Sequence, residues 1–432
     1  MKSSNDGVPL ENKIGASLNL FAQYILDCAI KDNAEKIFFF SREGWIFKQF
    51  VDDLLVSKNV LIKTIYLPTS RKTSSLSSLK TFDDILLLAE EPMNPCTLKT
   101  LLTGRFSLSD AQSEQCINEF ASKYSDIVVH KHDHMPLIRM ILFHAKDMVL
   151  QRAKELRKLL LEYYLSLGVS VGANLCIDIG YRGSMQFSLN SWLGKKGILF
   201  KGVYLISNVK KQKNKKDMHY ALLEISKNDT IWHNRLFFEY IFMAPHGTLL
   251  SFDRIGEKIV PIWDCTYVPD KNIQILQKKA LRYCDTCNHN SHDPKILLKK
   301  VITPTSMQDV ILFSGKVIDD SFGGSIERCI LSPFFDKKYI SVIELKEALE
   351  SSCWLEGALF LLEKKLIITN TTNQIQDKKV KGVIFRKIKK LFREPSIFFI
   401  DSNLPFMSLF KNHIQIEKSR EHRIQNALSK YL

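Results

Sequence analysis

Short apolar blocks alternate with amphipathic stretches through the first half of the chain, and three of those blocks stop abruptly in a charged turn. The first is Lys36–Phe40 (KIFFF), which breaks into Ser41, Arg42, Glu43 and Gly44. Before it, residues 16–31 carry Leu18, Phe21, Ile25 and Cys28 at helical spacing. After it, residues 45–56 place Trp45, Phe47, Phe50, Val51, Leu54 and Leu55 on one face, which predicts a second helix. A second strand is expected over 61–67, closing in Pro68, Thr69, Ser70 and Arg71. A third, 174–179, leads into Gly180, Tyr181, Arg182 and Gly183 and a helix opened by Ser184, and a fourth follows at 202–206. Strands alternating with helices through tight turns predict an α/β fold with a Rossmann-like, mostly parallel sheet and helices on both faces.

Between the second and third strands, DDILLLAEE, LIRMILFHAKDMVL and QRAKELRKLLLEYYLSLG all have amphipathic periods. The expected organisation is an α/β core formed by 1–79 and 169–252, an α-helical insertion over 80–168, a mixed, mainly helical region over 253–370, and a basic amphipathic tail over 371–432. A polar stretch at 370–376 is the expected linker.

The 432 residues include 61 Lys and Arg against 46 Asp and Glu, a net charge of +15. That excess favours a phosphorylated substrate, nucleic acid or an anionic membrane surface. No aromatic-basic RNA motif or zinc-finger spacing accompanies it, so nucleic acid is not an expected partner. Residues 1–10 are too polar for a signal peptide, no apolar run reaches transmembrane length, and the nine cysteines read as reduced thiols. A cytoplasmic protein is expected, able to lie on the inner face of the plasma membrane through 378–393 (KKVKGVIFRKIKKLFR). The other reading of that stretch is a surface helix packed on the domain with a solvated basic face. Cys284, Cys287, His289 and His292 offer zinc-type ligands but lack the loop that separates two ligand pairs, so a polar loop is the expected reading.

In open parallel sheets, loops at the carboxyl ends of the strands converge on a ligand. The charged turns would therefore gather Arg42, Arg71 and Arg182 for phosphate oxygens, with Ser41, Ser70 and Ser184 as hydroxyl donors or N-caps and Gly180 and Gly183 allowing close backbone approach. Glu43 and Asp178 could hold sugar hydroxyls, coordinate Mg²⁺ or take a proton. A fourth segment, RLFFEYIFMAPHGTLLSF, adds Glu239 and a turn with Pro245, His246 and Gly247, in which His246 could be an acid, a base or a donor to diphosphate. An ordinary surface pair after a strand and an N-cap serine in a turn are the structural counterparts of each motif. Walker, dinucleotide-binding and nucleophile-elbow signatures are missing from the sequence.

FFFSREGW, YLPTSRK, CIDIGYRGSMQ and EYIFMAPHG, in this order, resemble the carboxyl-terminal half of bacterial polysaccharide-cluster proteins often labelled HAD-superfamily hydrolases, which look like dual-domain ribofuranosyltransferases. That half is a glycan phosphoribosyltransferase using phosphoribosyl diphosphate; the amino-terminal phosphatase removes the remaining 5-phosphate. The family's SR(D/E)G falls on Ser41, Arg42, Glu43 and Gly44, its SRR-type turn on Ser70, Arg71 and Lys72, its DIGWRGS on Asp178 to Ser184 with Tyr181 for tryptophan, and its PHG on Pro245 to Gly247. The resemblance implies 5-phosphoribosyl transfer to a glycan of O-antigen or capsule, and the basic tail fits an acceptor on a lipid carrier. Arg42 and Arg182 would hold phosphates, Mg²⁺ would be shared with Asp178, and Glu43, read as the more exposed carboxylate, would be the base; these roles could be exchanged. The phosphatase half is absent from this chain, so a separate phosphatase, retention of the phosphate or a changed function is expected. A non-catalytic scaffold and a nucleotide-sugar transferase are the alternatives.

Overall fold

The computed structural model describes residues 8–361 apart from 92–93, 131–132, 209–217, 284–292, 312, 314–315, 321–324, 333–347 and 350. The zinc-type cluster and the basic tail both lie outside the described residues.

The chain opens with α1 (Leu10–Lys31), β1 (Lys36–Phe40), α2 (Gly44–Lys58), β2 (Lys63–Leu67) and α3 (Arg71–Ser78). The insertion follows: α4 (Phe82–Ala89), the short β3 (Cys96–Thr97), α5 (Leu98–Phe106), α6 (Asp110–Phe120), β4 (Val128–Val129) and the long α7 (Met135–Ser166). The chain then returns as β5 (Gly172–Tyr181), α8 (Ser184–Leu193), β6 (Ile198–Ser207) and β7 (His219–Glu224). Next come α9 (Thr230–His233), α10 (Arg235–Phe242) and a hairpin of β8 (Leu249–Ile255) and β9 (Lys258–Trp263). Helices Lys271–Leu281 and Pro294–Ile302 and a second hairpin, Lys316–Asp320 with Ser325–Cys329, follow. The expected boundary at 252 thus falls inside a strand, and the region beyond it carries two antiparallel hairpins as well as helices.

Five strands form one all-parallel sheet in the order β2-β1-β5-β6-β7. Its outermost strand, HYALLE, is half-buried along nearly its whole length and had no apolar block to announce it. The sequence of β1 explains the layering, because successive side chains of a strand point to opposite faces. Ile37 and Phe39 enter a core shared with α1 and α2, whereas Phe38 and Phe40 enter a second core shared with α3, α7 and α8. Leu175, Ile177 and Val203 follow the first pair, and Cys176 and Phe200 the second. Both faces of the sheet are therefore apolar and covered, as a parallel sheet requires.

From β1 the chain passes through α2 to β2 on one side, and after the insertion it returns to β5 on the other. The order reverses between β1 and β5, so the crevice at the carboxyl ends of these two strands is the expected ligand position. Among the described residues no helix is long and apolar enough to cross a membrane.

Candidate active site

The turns after β1, β2 and β5 meet at this crevice, but several of their small residues are committed to holding the turns themselves. Ser41 Oγ donates to the Thr69 carbonyl at 2.5 Å and accepts from the Thr69 N–H at 2.9 Å, clasping the end of β1 to that of β2. Ser70 caps α3 in a reciprocal capping box with Thr73. The expected substrate contacts of both serines give way to these internal bonds, which occupy buried hydroxyls. Gly44 begins α2 so close to β1 that a Cβ would lie 2.9 Å from the Phe39 carbonyl carbon.

Gly180 and Gly183 are likewise required by packing. Gly180 has φ +101° and a Cβ there would meet Tyr204 Cβ at 2.5 Å; at Gly183, with φ +66°, it would meet Tyr204 Oη at 2.5 Å. Tyr204, rather than a ligand, fills the space in front of both. Gly183 occupies the N-cap position of α8 expected for Ser184, which is instead the exposed first helical residue. Tyr181 also has positive φ, 65°, a rare conformation for an aromatic residue. Its ring packs edge-on against Trp232 and its hydroxyl donates to the Arg235 carbonyl at 3.0 Å, so it ties β5 to α10 within reach of the Glu239, Glu43 and Asp178 carboxylates.

The charged residues behave differently. Asp178 is 5% exposed, Glu43 only 7%, and Oδ1 of Asp178 has no hydrogen-bond partner. Glu43, expected to be the more exposed carboxylate, is buried like Asp178 because it sits at the N-cap of α2 with its residue in helical conformation. Desolvation, and next the Glu43 carboxylate, push Asp178 up from an ordinary 3.8 to about 8; the Ile179 N–H and Arg71 oppose this, and Glu239 adds to it. Glu239 on α10 is pushed up to about 7 by desolvation and Glu43, against Arg71, Arg235 and Arg42. Three carboxylates and at least three guanidinium groups therefore share one electrostatic environment.

Arg182 completes it. Its guanidinium is held below its ordinary range by desolvation, and Arg235 and Arg71 add to this while Glu91 opposes. Arg42 and Arg182 thus belong to one constellation, joined through Arg71, Arg235 and Glu239. Among the described residues, Arg42, Arg71, Arg182 and Arg235 have no carboxylate within ion-pair distance, although surface arginines such as Arg139 and Arg254 do. Buried carboxylates such as Asp178 and Glu43, rimmed by half-buried Arg42 and Arg235 and exposed Arg71 and Arg182 that do not pair with them, suit a ligand that supplies the missing partners.

His246 lies beside Arg42. Its Nε2 is 2.9 Å from Tyr66 Oη and its Nδ1 2.9 Å from the Gly247 carbonyl, so Nδ1 carries the proton and Nε2 accepts. Desolvation, with Arg42 adding and Gly247 and Glu43 opposing, keeps the ring below its ordinary pKa and hence neutral. With both nitrogens engaged inside the protein, His246 holds its neighbours and is not poised as an acid or base. Gly247 admits the 264 carbonyl, which would lie 2.2 Å from a Cβ.

Arg235 and Tyr66 are members that sequence reasoning missed. Arg235 precedes Glu239 by one helical turn in the otherwise apolar RLFFEYIF, and that pair of charges in a buried helix was the available signal. Among the described residues no group of three His, Cys, Asp or Glu converges as a metal cage. The orphaned Asp178 oxygen is nevertheless of the hard type that Mg²⁺ takes when phosphates supply its other ligands. Comparison of the chain with protein-family models and with curated proteins finds no match.

Proposed function

We propose that this protein is a glycosyltransferase that moves a 5-phosphoribosyl group from phosphoribosyl diphosphate to a glycan acceptor, in the synthesis of a bacterial surface polysaccharide such as O-antigen or capsule. The observation that carries the reading is the set of arginines without ion-pair partners around desolvated carboxylates at the point where strand order reverses.

Loss of diphosphate from the anomeric carbon separates charge: the leaving group becomes more negative while the pentose acquires oxocarbenium character. Arg42, Arg71, Arg182 and Arg235 supply fixed positive charge for phosphate oxygens, and the planar guanidinium donates in pairs. Asp178, Glu43 and Glu239 supply negative charge for the developing cation. Burial, and next the Glu43 carboxylate, hold the Asp178 carboxyl mostly neutral near pH 7, and positive charge placed beside it favours its ionised form. Glu43, at the end of β1 beside Arg42, is the candidate to accept the proton of the acceptor hydroxyl. Mg²⁺, when bound with the donor, would neutralise diphosphate charge, and Asp178 is the residue that would hold it.

A lipid-linked acceptor accounts for the basic residues of 378–393, which suit an anionic inner-membrane surface. Thermal unfolding with phosphoribosyl diphosphate and Mg²⁺ tests the donor: stabilisation that is lost in Arg182→Ala supports the reading, whereas stabilisation only by a nucleotide sugar would replace it with that donor class.

A further inference from the structure

Four aromatic rings from three distant parts of the chain form a continuous row next to Arg42 and Glu43. Trp45, in the first turn of α2, meets Tyr66 of β2 edge-on with centroids 5.8 Å apart. Tyr66 meets His246 at 5.7 Å, and His246 meets Trp263 at the end of β9 at 4.1 Å. None of these residues is fully buried, and Trp45 is 36% exposed. The row is anchored to the charged crevice, since Tyr66 Oη lies 3.4 Å from the Arg42 carbonyl and both Arg42 and Glu43 act electrostatically on Tyr66 and His246.

We infer that this row is the acceptor subsite, and that it takes a neutral sugar ring by stacking. The C–H face of a pyranose or furanose matches an aromatic surface, whereas an anionic donor is drawn to the arginines, so the two chemistries divide the crevice into two neighbouring halves. Glu43 stands at their boundary, where an acceptor hydroxyl stacked on Trp45 would meet the donor. The role of the row in the reaction rests on the transferase reading; its binding of sugar does not.

The chain offers its own reporter. Of five tryptophans, Trp192, Trp232 and Trp354 are buried, which leaves Trp45 and Trp263 accessible to a quencher. Acrylamide quenching of the intact chain would be followed with octyl glycosides of glucose, galactose, mannose and N-acetylglucosamine, in the wild type, Trp45→Ala and Trp45→Phe. The inference expects at least one glycoside to protect the wild type, the glycoside concentration that half-protects Trp263 to rise about tenfold in Trp45→Ala, and Trp45→Phe to restore most of that affinity. The thermal shift given by phosphoribosyl diphosphate with Mg²⁺ should be the same in all three proteins. Protection by none of the glycosides, equal protection in Trp45→Ala, or an equal loss of donor binding in that variant would overturn the inference. Protection by a glycoside without any response to phosphoribosyl diphosphate would leave the sugar subsite standing and remove the donor assignment.

Discussion

Replacing Asp178 with asparagine should stabilise the ligand-free protein while abolishing the proposed transfer. The carboxyl is almost wholly buried, one of its oxygens is unpartnered, and its pKa is pushed from 3.8 to about 8. Because the folded state holds the proton more tightly than the unfolded state, the stability linked to this group is fullest below about pH 4 and is lost as pH rises through 8. At pH 7 the unfolded carboxyl is ionised and the folded one is mostly protonated, so folding must take up a proton at a cost of about 4 kcal/mol. Asparagine removes that cost but leaves a buried amide incompletely bonded, which returns about 1 to 2 kcal/mol. The expected net gain is therefore about 2 to 3 kcal/mol at pH 7, with little gain or a small loss near pH 4 where both forms are neutral. Urea unfolding of the two proteins, followed by far-ultraviolet circular dichroism between pH 4 and 8, reads this as a widening gap in stability. Asparagine that destabilises equally at every pH would show that Asp178 serves the fold and would refute the reasoning.

Other substitutions separate structural residues from those that face a ligand. Gly180→Ala should cost at least about 2 kcal/mol in urea unfolding, since Tyr204 and a left-handed backbone leave no room for a methyl group; an unchanged midpoint would contradict the packing. Ser41→Ala should cost about 1 to 3 kcal/mol by the same measurement, because the buried Thr69 N–H loses its acceptor. His246→Gln should leave the pH profile of transfer unchanged while lowering kcat/KM, as expected of a neutral residue that holds Tyr66 in place; a lost limb in that profile would make it an acid or base. In the wild type, kcat/KM should rise between about pH 6 and 8 as the carboxylate set ionises, and Asp178→Asn should remove most activity and shift the residual rise towards pH 7, where Glu239 ionises.

The layers of the fold were legible because the sheet is buried on both sides. Runs such as Ile37 to Phe40 are apolar without alternation, and they stop where the chain leaves the core. β7 escaped notice for the opposite reason: an edge strand that is only half-buried can carry His219, Tyr220 and Glu224 without a penalty that would shape its sequence. The charged turns could be read because Arg and Glu directly after an apolar strand are conspicuous. Which members of each turn remain available to a ligand could not be read, since that depends on partners remote in sequence. Ser41 is consumed by Thr69, Gly180 by Tyr204 and Tyr181 by Arg235. The aromatic row was hidden in the same way, as Trp45, Tyr66, His246 and Trp263 become neighbours only when α2, β2 and the β8-β9 hairpin assemble.

Calorimetric titration of phosphoribosyl diphosphate with Mg²⁺ into the wild type, Arg42→Ala and Arg182→Ala bears most directly on the claim that these turns form a single phosphosugar site. One binding event per chain is expected, weakened at least tenfold by either substitution. Undiminished binding in either variant, or no binding to the wild type, would contradict it.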